Sequence, residues 1–269
     1  MPKKVGEMAL RNKRFVIPFE DGRAAFGVQV PRRFDPISVG KLLGFDKPAP
    51  TIYVTGGAGS MSPEDMAATR TIVEKGLARF AEERGAIIID GGTQAGIPVL
   101  IGDGRQKNRY HFPLVGITPL ELVRYPGYDN DNPEAAPLNS GHSHFVLTSG
   151  DEFGDESDMI TQLTSALSGA GEQPALGILI NGGKIAREEV YARTTSDKLS
   201  FPLIVLEGTG RFADILARAF YAGHTEEADL QAIINKGRLQ MVTIDDGPDA
   251  LRARLSAYFD AYKPPAKQA

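Results

Sequence analysis

At 269 residues, 42% apolar and 24% charged, the chain can bury a sizeable core and fits one large α/β domain or two small ones. With no cysteine it has no disulfide, no thiol nucleophile and no cysteine-ligated zinc. A formal net charge of -4 without a Lys/Arg stripe argues against a nucleic-acid binder, and no run reaches the roughly 20 apolar residues of a membrane span.

The chain opens on Met1-Pro2-Lys3-Lys4-Val5-Gly6-Glu7, which lacks the apolar stretch of a signal peptide, so a cytoplasmic location is expected. Phe15-Val16-Ile17-Pro18-Phe19 and Ala25-Phe26-Gly27-Val28-Gln29-Val30 flank an Asp21-Gly22 turn and predict a β-hairpin, packed on a sheet edge or across a subunit contact. Seven short runs rich in Val, Ile and Leu then read as buried parallel strands: 51–55, 86–90, 114–118, 144–148, 176–180, 203–206 and 239–244. Helices fall between most of them. Ser62-Pro63-Glu64-Asp65 supplies a cap, an N-terminal proline and first-turn acids, Met66, Val73, Leu77 and Phe80 an inner face, and Gly85 a stop. Met159, Leu163, Ala166 and Leu167 mark another helix, and Leu251, Leu255, Phe259 and Tyr262 the last. The stretch 124–141, rich in Pro, Gly, Asn and Asp, is a long loop, functional or a plain surface excursion. The alternation predicts a doubly wound, mainly parallel sheet of about seven strands. The expected division is a β extension over 1–50, a ligand-binding body over 51–262 and a disordered tail over 263–269.

The strongest chemical signal is Glu207-Gly208-Thr209-Gly210-Arg211-Phe212, where a strand gives way to a helix. Glycines let backbone approach a ligand, a helix start favours anions, and Arg211 adds a planar fork of donors. Phe212, Ile215, Leu216, Ala219 and Phe220 form the apolar stripe of that helix. Thr55-Gly56-Gly57-Ala58-Gly59-Ser60 and Asp90-Gly91-Gly92-Thr93-Gln94-Ala95-Gly96 end two other strands. Neither is a Walker motif or a G-x-G-x-x-G fingerprint, yet three such turns together suggest a phosphate-bearing ligand across the strand ends. In the second, Gly96 opens a helix, and Thr93 either caps it or donates to a phosphate. Asn181-Gly182-Gly183 is a ligand contact or a structural turn.

Glu207 and Asp214 are the nearest acid–base candidates, with a ribose contact or a helix-start acid as the plainer readings. His142-Ser143-His144 starts a strand, where alternation lets both imidazoles face one way, but no third metal ligand is evident. A polar role near the ligand or in strand-end packing remains, with Asn139 and Ser140 as hydrogen-bonding neighbours. Asp151, Glu152, Asp155, Glu156 and Asp158 crowd a helix start, where they complement its dipole or hold a divalent cation that bridges to ligand phosphates. Asp129-Asn130-Asp131-Asn132 lacks calcium-loop spacing and reads as loop.

Thr55-Gly56-Gly57, Gly91-Gly92-Thr93-Gln94-Ala95-Gly96, Leu138-Asn139-Ser140-Gly141-His142-Ser143-His144-Phe145, Asn181-Gly182-Gly183 and Glu207-Gly208-Thr209-Gly210-Arg211-Phe212-Ala213-Asp214 follow one another in an order that resembles the N-terminal SLOG domain of TRPM cation channels. The stand-alone prokaryotic relatives of that domain, the LSDAT group, share it. The resemblance covers about residues 50–222, and it implies a Rossmann-like fold that recognises nucleotide-derived ligands such as ADP-ribose or its cyclic form. It gives Arg211 a ligand contact and matches an aromatic ligand neighbour to Phe153; a basic residue of the channel domain is here Ile160. Binding of such a ligand without turnover is the leading expectation. The alternative is an N-glycosidase like the phosphoribohydrolases of the wider superfamily, whose catalytic Glu is here Asp214. A third reading is a structural module with empty turns. Related folds dimerise, so a homo-oligomer is expected.

Overall fold

A computed structural model describes residues 13–128 and 130–265. The opening segment 1–7, Asp129 and residues 266–269 of the expected tail lie outside the described residues.

The predicted hairpin is formed by β1 (Phe15–Pro18) and β2 (Ala24–Val30), antiparallel with Phe15 opposite Gly27. Helix α1 (Pro36–Leu43) starts at Asp35, whose carboxylate accepts from the Ser38 amide. After β3 (Thr51–Gly56), Ser62 caps α2 (Pro63–Ile72), which continues through a π-helical turn, Val73–Ala78, into α3 (Arg79–Arg84) and stops at left-handed Gly85. Next come β4 (Ile87–Asp90), α4 (Ile97–Lys107), β5 (Leu114–Pro119) and a short parallel pair, β6 (Val123–Arg124) with β7 (Ala136–Pro137). The chain goes on through β8 (His144–Thr148), α5 (Ser157–Leu167), β9 (Ala175–Ile180) and α6 (Lys184–Thr195). It ends with β10 (Leu203–Glu207), α7 (Arg211–Ala222), α8 (Ala228–Lys236), β11 (Leu239–Thr243) and α9 (Gly247–Ala261).

All seven predicted strands form, and the hairpin joins them in one nine-stranded sheet of order β1-β2-β8-β5-β4-β3-β9-β10-β11. Only β1–β2 is antiparallel. The hairpin is therefore neither a separate layer nor merely packed on the edge: β2 hydrogen-bonds in parallel to β8, with Phe26 beside His144. Strand alternation divides the core between the two faces. Ile52, Val54 and Ile88 pack with Leu77, Phe80, Leu100 and Leu255 on one side; Tyr53, Ile87 and Ile89 pack with Val146, Leu163 and Leu167 on the other. Phe212, Leu216 and Ala219 of α7 are buried as predicted, but Ile215 is 36% exposed. Among the described residues no helix is long and apolar enough to cross a membrane.

Starting at β3, the sheet runs one way through β4, β5 and β8 and the other way through β9, β10 and β11. Connections that leave adjacent β3 and β9 in opposite directions open a crevice outside their carboxyl ends, the favoured ligand position of open α/β sheets.

Candidate ligand site at the carboxyl ends of the strands

The crevice begins where two strand ends touch backbone to backbone. Gly57 donates to the Ile180 carbonyl at 3.1 Å. A Cβ on Gly56 (φ 141°) would lie 1.9 Å from that same oxygen, so only glycine fits. Past β9, Asn181 takes a left-handed φ of 55° and is fully buried. Its Nδ2 donates to the Thr209 carbonyl at 2.6 Å, its amide donates to Thr209 Oγ1 at 2.7 Å, and its Oδ1 accepts from the Gly182 amide at 2.8 Å. One asparagine thus locks the turn after β9 to the turn that opens α7.

Arg211 leaves that junction with φ 49°, a left-handed value that costs a non-glycine residue on the order of 1 kcal/mol. Its guanidinium lies over two glycines. A Cβ on Gly183 would sit 2.6 Å from Nη2, and one on Gly59 would sit 3.0 Å from Nη1. Gly96, at the start of α4, closes the far side: a Cβ there would be 3.7 Å from the Ala58 amide nitrogen and 3.9 Å from Gly57 Cα. The Arg211 side chain is exposed, and among the described residues it makes no hydrogen bond or ion pair. An unpaired guanidinium above glycine backbone is suited to a phosphate or carboxylate. The α7 amides contribute less than expected, because Phe212 and Ala213 donate to the Gly182 and Asn181 carbonyls at 3.2 and 2.9 Å.

The other candidates fall into separate places. Thr55 is buried, and its hydroxyl donates to Glu189 rather than facing the crevice. Gly91 has open space, but Gly92 is packed on the Gly116 backbone and the Phe145 ring. Thr93 bridges to Leu138, and the cap of α4 is Gly96, which supplies no side-chain bond. Thr209 is 1% exposed and its hydroxyl donates to the Leu206 carbonyl. Gly208 lies against Ile244 and Gly210 against Asn181, both shaping the α7 turn. Asp214 Oδ1 accepts from the Gly208 amide at 2.8 Å, and Glu207 Oε2 accepts from the Tyr221 hydroxyl at 3.0 Å.

Asn139 and His142 lie in a buried network distant in sequence from Arg211. His142 Nε2 meets Asp90 Oδ1 at 2.7 Å, and its Nδ1 meets Asn139 Oδ1 at 3.1 Å. Its ring packs, tilted, against Phe145, whereas His144 sits between Phe26 and Phe45. The two imidazoles share no partner, so alternation does not bring them together, and burial holds His144 down at about 4. Ser140 bonds to Asp21 of the hairpin turn at 2.5 Å. Phe153 is 45% exposed on the loop before α5, and its neighbour Gly154 approaches Ile185 at the start of α6.

Of the crowded acids, Asp155 accepts from the Asp151 and Glu152 amides and pairs with Arg32 at 2.6 Å. Glu156 is 7% exposed and burial raises it to about 7. Among the described residues no group of three or more His, Asp or Glu could hold a metal ion.

Sequence reasoning passed over the polar column beneath the crevice. Glu189 Oε1 takes the Ser157 hydroxyl at 2.5 Å and Arg193 Nη2 at 2.9 Å, and Arg193 lies over the Tyr53 ring. The Glu189/Arg193 spacing of four on one helix was the available signal.

A family model described as SLOG in TRPM, prokaryote, matches residues 49–253. The chain is 30% identical over 175 residues to transient receptor potential cation channel subfamily M member 6 of Homo sapiens, covering 55% of this chain and 8% of the channel. It is 26% identical over 198 residues to member 1 of Mus musculus, covering 63% of this chain and 12% of that protein. It is 26% identical over 213 residues to member 2 of Rattus norvegicus, covering 65% and 14%. The chain therefore spans only a small part of the length of these channels. With the family model matched over most of its length, and with the doubly wound sheet that the match implies, the chain belongs to the prokaryotic branch of the SLOG-in-TRPM family.

Proposed function

We propose that the protein binds a nucleotide-derived, phosphate-bearing small molecule, of the ADP-ribose or cyclic ADP-ribose class, in the crevice between β3 and β9, without turning it over. The observation that carries this reading is the unpaired Arg211 guanidinium held over Gly59 and Gly183. In this role Arg211 pairs with the phosphates, and Gly57, Gly59, Gly96 and Gly183 let them approach the backbone. Gly56, Gly182, Gly208, Thr209 and Gly210 shape the turns. The exposed Phe153 ring, on the loop that meets α6 beside Gly183, offers a stacking surface to the base. Family membership supplies the ligand class through the resemblance to TRPM N-terminal domains. The reading includes a cytoplasmic, homo-oligomeric protein with no nucleic-acid or membrane partner and no resident cofactor; a divalent cation enters, if at all, with the ligand's phosphates.

The N-glycosidase alternative has less support. Asp214 accepts from the Gly208 amide and Glu207 from the Tyr221 hydroxyl, so each carboxylate already has a structural partner in the α7 turn.

The test is thermal unfolding with ADP-ribose, cyclic ADP-ribose, NAD and AMP, with product analysis alongside. A ligand at 100 times its Kd stabilises by about 2.7 kcal/mol. Stabilisation without products, lost in Arg211→Ala, is expected. Release of free base, abolished by Asp214→Asn, would replace binding with hydrolysis.

A further inference from the structure

A second cavity lies apart from Arg211. It is an open cleft of about 470 Å³ between the hairpin turn and the segment carrying β6 and β7, a volume within the range of small-molecule sites. Gly57, Gly59, Gly183 and Arg211 do not line it. Its apolar wall is Phe19, Tyr125, Pro126, Tyr128, Pro137 and Leu138.

The wall is held from behind. Tyr125 and Tyr128 stack with centroids 5.1 Å apart, and the Tyr125 hydroxyl accepts from Gln29 Nε2 at 2.9 Å. Gln94, another lining residue, has its Oε1 fixed by Asn139 Nδ2 at 2.7 Å, which turns its own amide NH2 away from Asn139. Asn139 is 2% exposed and is itself fixed by Gly141 and His142.

Two opposite charges line the cavity without meeting. Arg124 and Glu20 are both exposed, and among the described residues neither side chain makes a hydrogen bond or ion pair. The third lining charge, Asp21, is committed to Ser140 and Arg23. A ligand carrying only phosphates would gain Arg124 but meet Glu20 and Asp21, two carboxylates of its own sign. A ligand with one charge of each sign satisfies Arg124 and Glu20 together.

We propose that this cavity binds a zwitterionic small molecule, an α-amino acid with an aromatic or aliphatic side chain. Its carboxylate pairs with Arg124, its ammonium with Glu20, and its side chain packs against the Phe19 and Leu138 wall. The site is independent of the Arg211 crevice.

The test uses ligand-observed NMR titration with L-phenylalanine, L-tyrosine and L-leucine, against 3-phenylpropionate, which lacks the ammonium, and phenethylamine, which lacks the carboxylate. At least one amino acid should bind, with each matching truncated analogue weaker by at least about tenfold, the equivalent of one lost charge-assisted contact. Arg124→Ala should weaken the amino acid about tenfold and leave phenethylamine unchanged. Glu20→Gln should weaken the amino acid and leave 3-phenylpropionate unchanged. Both residues are exposed, and equal thermal midpoints will verify folding; Arg124→Gln replaces any alanine variant that unfolds. No amino-acid binding at millimolar concentration, or equal affinity in both variants, would overturn the proposal. So would displacement of the amino acid by ADP-ribose. ADP-ribose stabilisation that persists in Arg124→Ala separates the two sites, so either can fail alone.

Discussion

The turns after β3 and β4 look alike in sequence, Gly56-Gly57 and Gly91-Gly92, but they do different physical work. After β3, the residue that follows the packed Gly56 has nothing within 4 Å of where a Cβ would sit, and the turn continues to Gly59 beneath the Arg211 guanidinium. After β4, Gly92 takes φ 69°, and a Cβ there would lie 2.7 Å from Gly116 Cα and 3.1 Å from the Phe145 ring. Its amide donates to Asp90 and its carbonyl accepts from Asn139. A glycine pair signals that the backbone comes close to something. In both pairs one glycine packs on the neighbouring strand, Gly56 on Ile180 and Gly92 on Gly116, and the other has open space; the turns differ in that only the first continues beneath Arg211.

Between Gly92 and Gly57, the larger effect is expected at the packed Gly92. Gly92→Ala forces a side chain into left-handed backbone against a neighbouring strand, and should cost roughly 3 kcal/mol in denaturant unfolding. Gly57→Ala, with open space, should stay within about 0.5 kcal/mol of the parent. Equal losses at the two positions would erase the distinction.

Arg211→Ala should act the other way round, leaving the thermal midpoint unchanged while weakening ADP-ribose about 100-fold, as expected for two lost charge-assisted bonds. Calorimetric titration reads the affinity.

A pH series sharpens the contrast through Glu156, buried at the start of α5. Burial raises this carboxyl from an ordinary 4.5 to about 7. Its folded pKa exceeds the unfolded one, so its stabilising contribution is whole below about 4.5 and is lost as pH rises through about 7. Glu156→Gln should remove that slope and raise stability at pH 8 by about 2–3 kcal/mol. His144, held near 4 by burial, gives the opposite slope, with stability lost as pH falls from 6.5 toward 4. His144 is present in both proteins and cancels between them, so the parent–variant difference should open between about pH 4.5 and 7 and stay constant above that.

The smallest effect is the most local. Gly183→Ala puts a methyl 2.6 Å from Arg211 Nη2, the far end of a flexible side chain. The guanidinium should swing aside with little change in stability, and ADP-ribose affinity should fall about tenfold.

The seven strands were legible because each is a short branched-aliphatic run closed by Gly, Asp or Pro, and the helix ends because Ser62-Pro63 and Gly85 carry their own chemistry. The parallel pairing of β2 with β8 was not legible, since it joins residues more than 100 apart through backbone bonds that any side chain permits. Arg211 could be singled out by its glycine-rich turn, but its resting place over Gly59 and Gly183 depends on the order β3-β9-β10. His142 read as a polar group near the ligand or in strand-end packing, and its partner Asp90, 52 residues away, could not be read from the sequence. Thr55 was singled out by its glycine-rich turn, but its hydroxyl's partner, Glu189, comes from α6, far along the chain.

The most direct measurement is a crystal structure of the protein with ADP-ribose. The pyrophosphate should lie in the crevice beside Gly59 and Gly183, with phosphate oxygens about 2.7–2.9 Å from the Arg211 guanidinium. A pyrophosphate seated elsewhere, or a bound ligand from which Arg211 turns away into solvent, would contradict it.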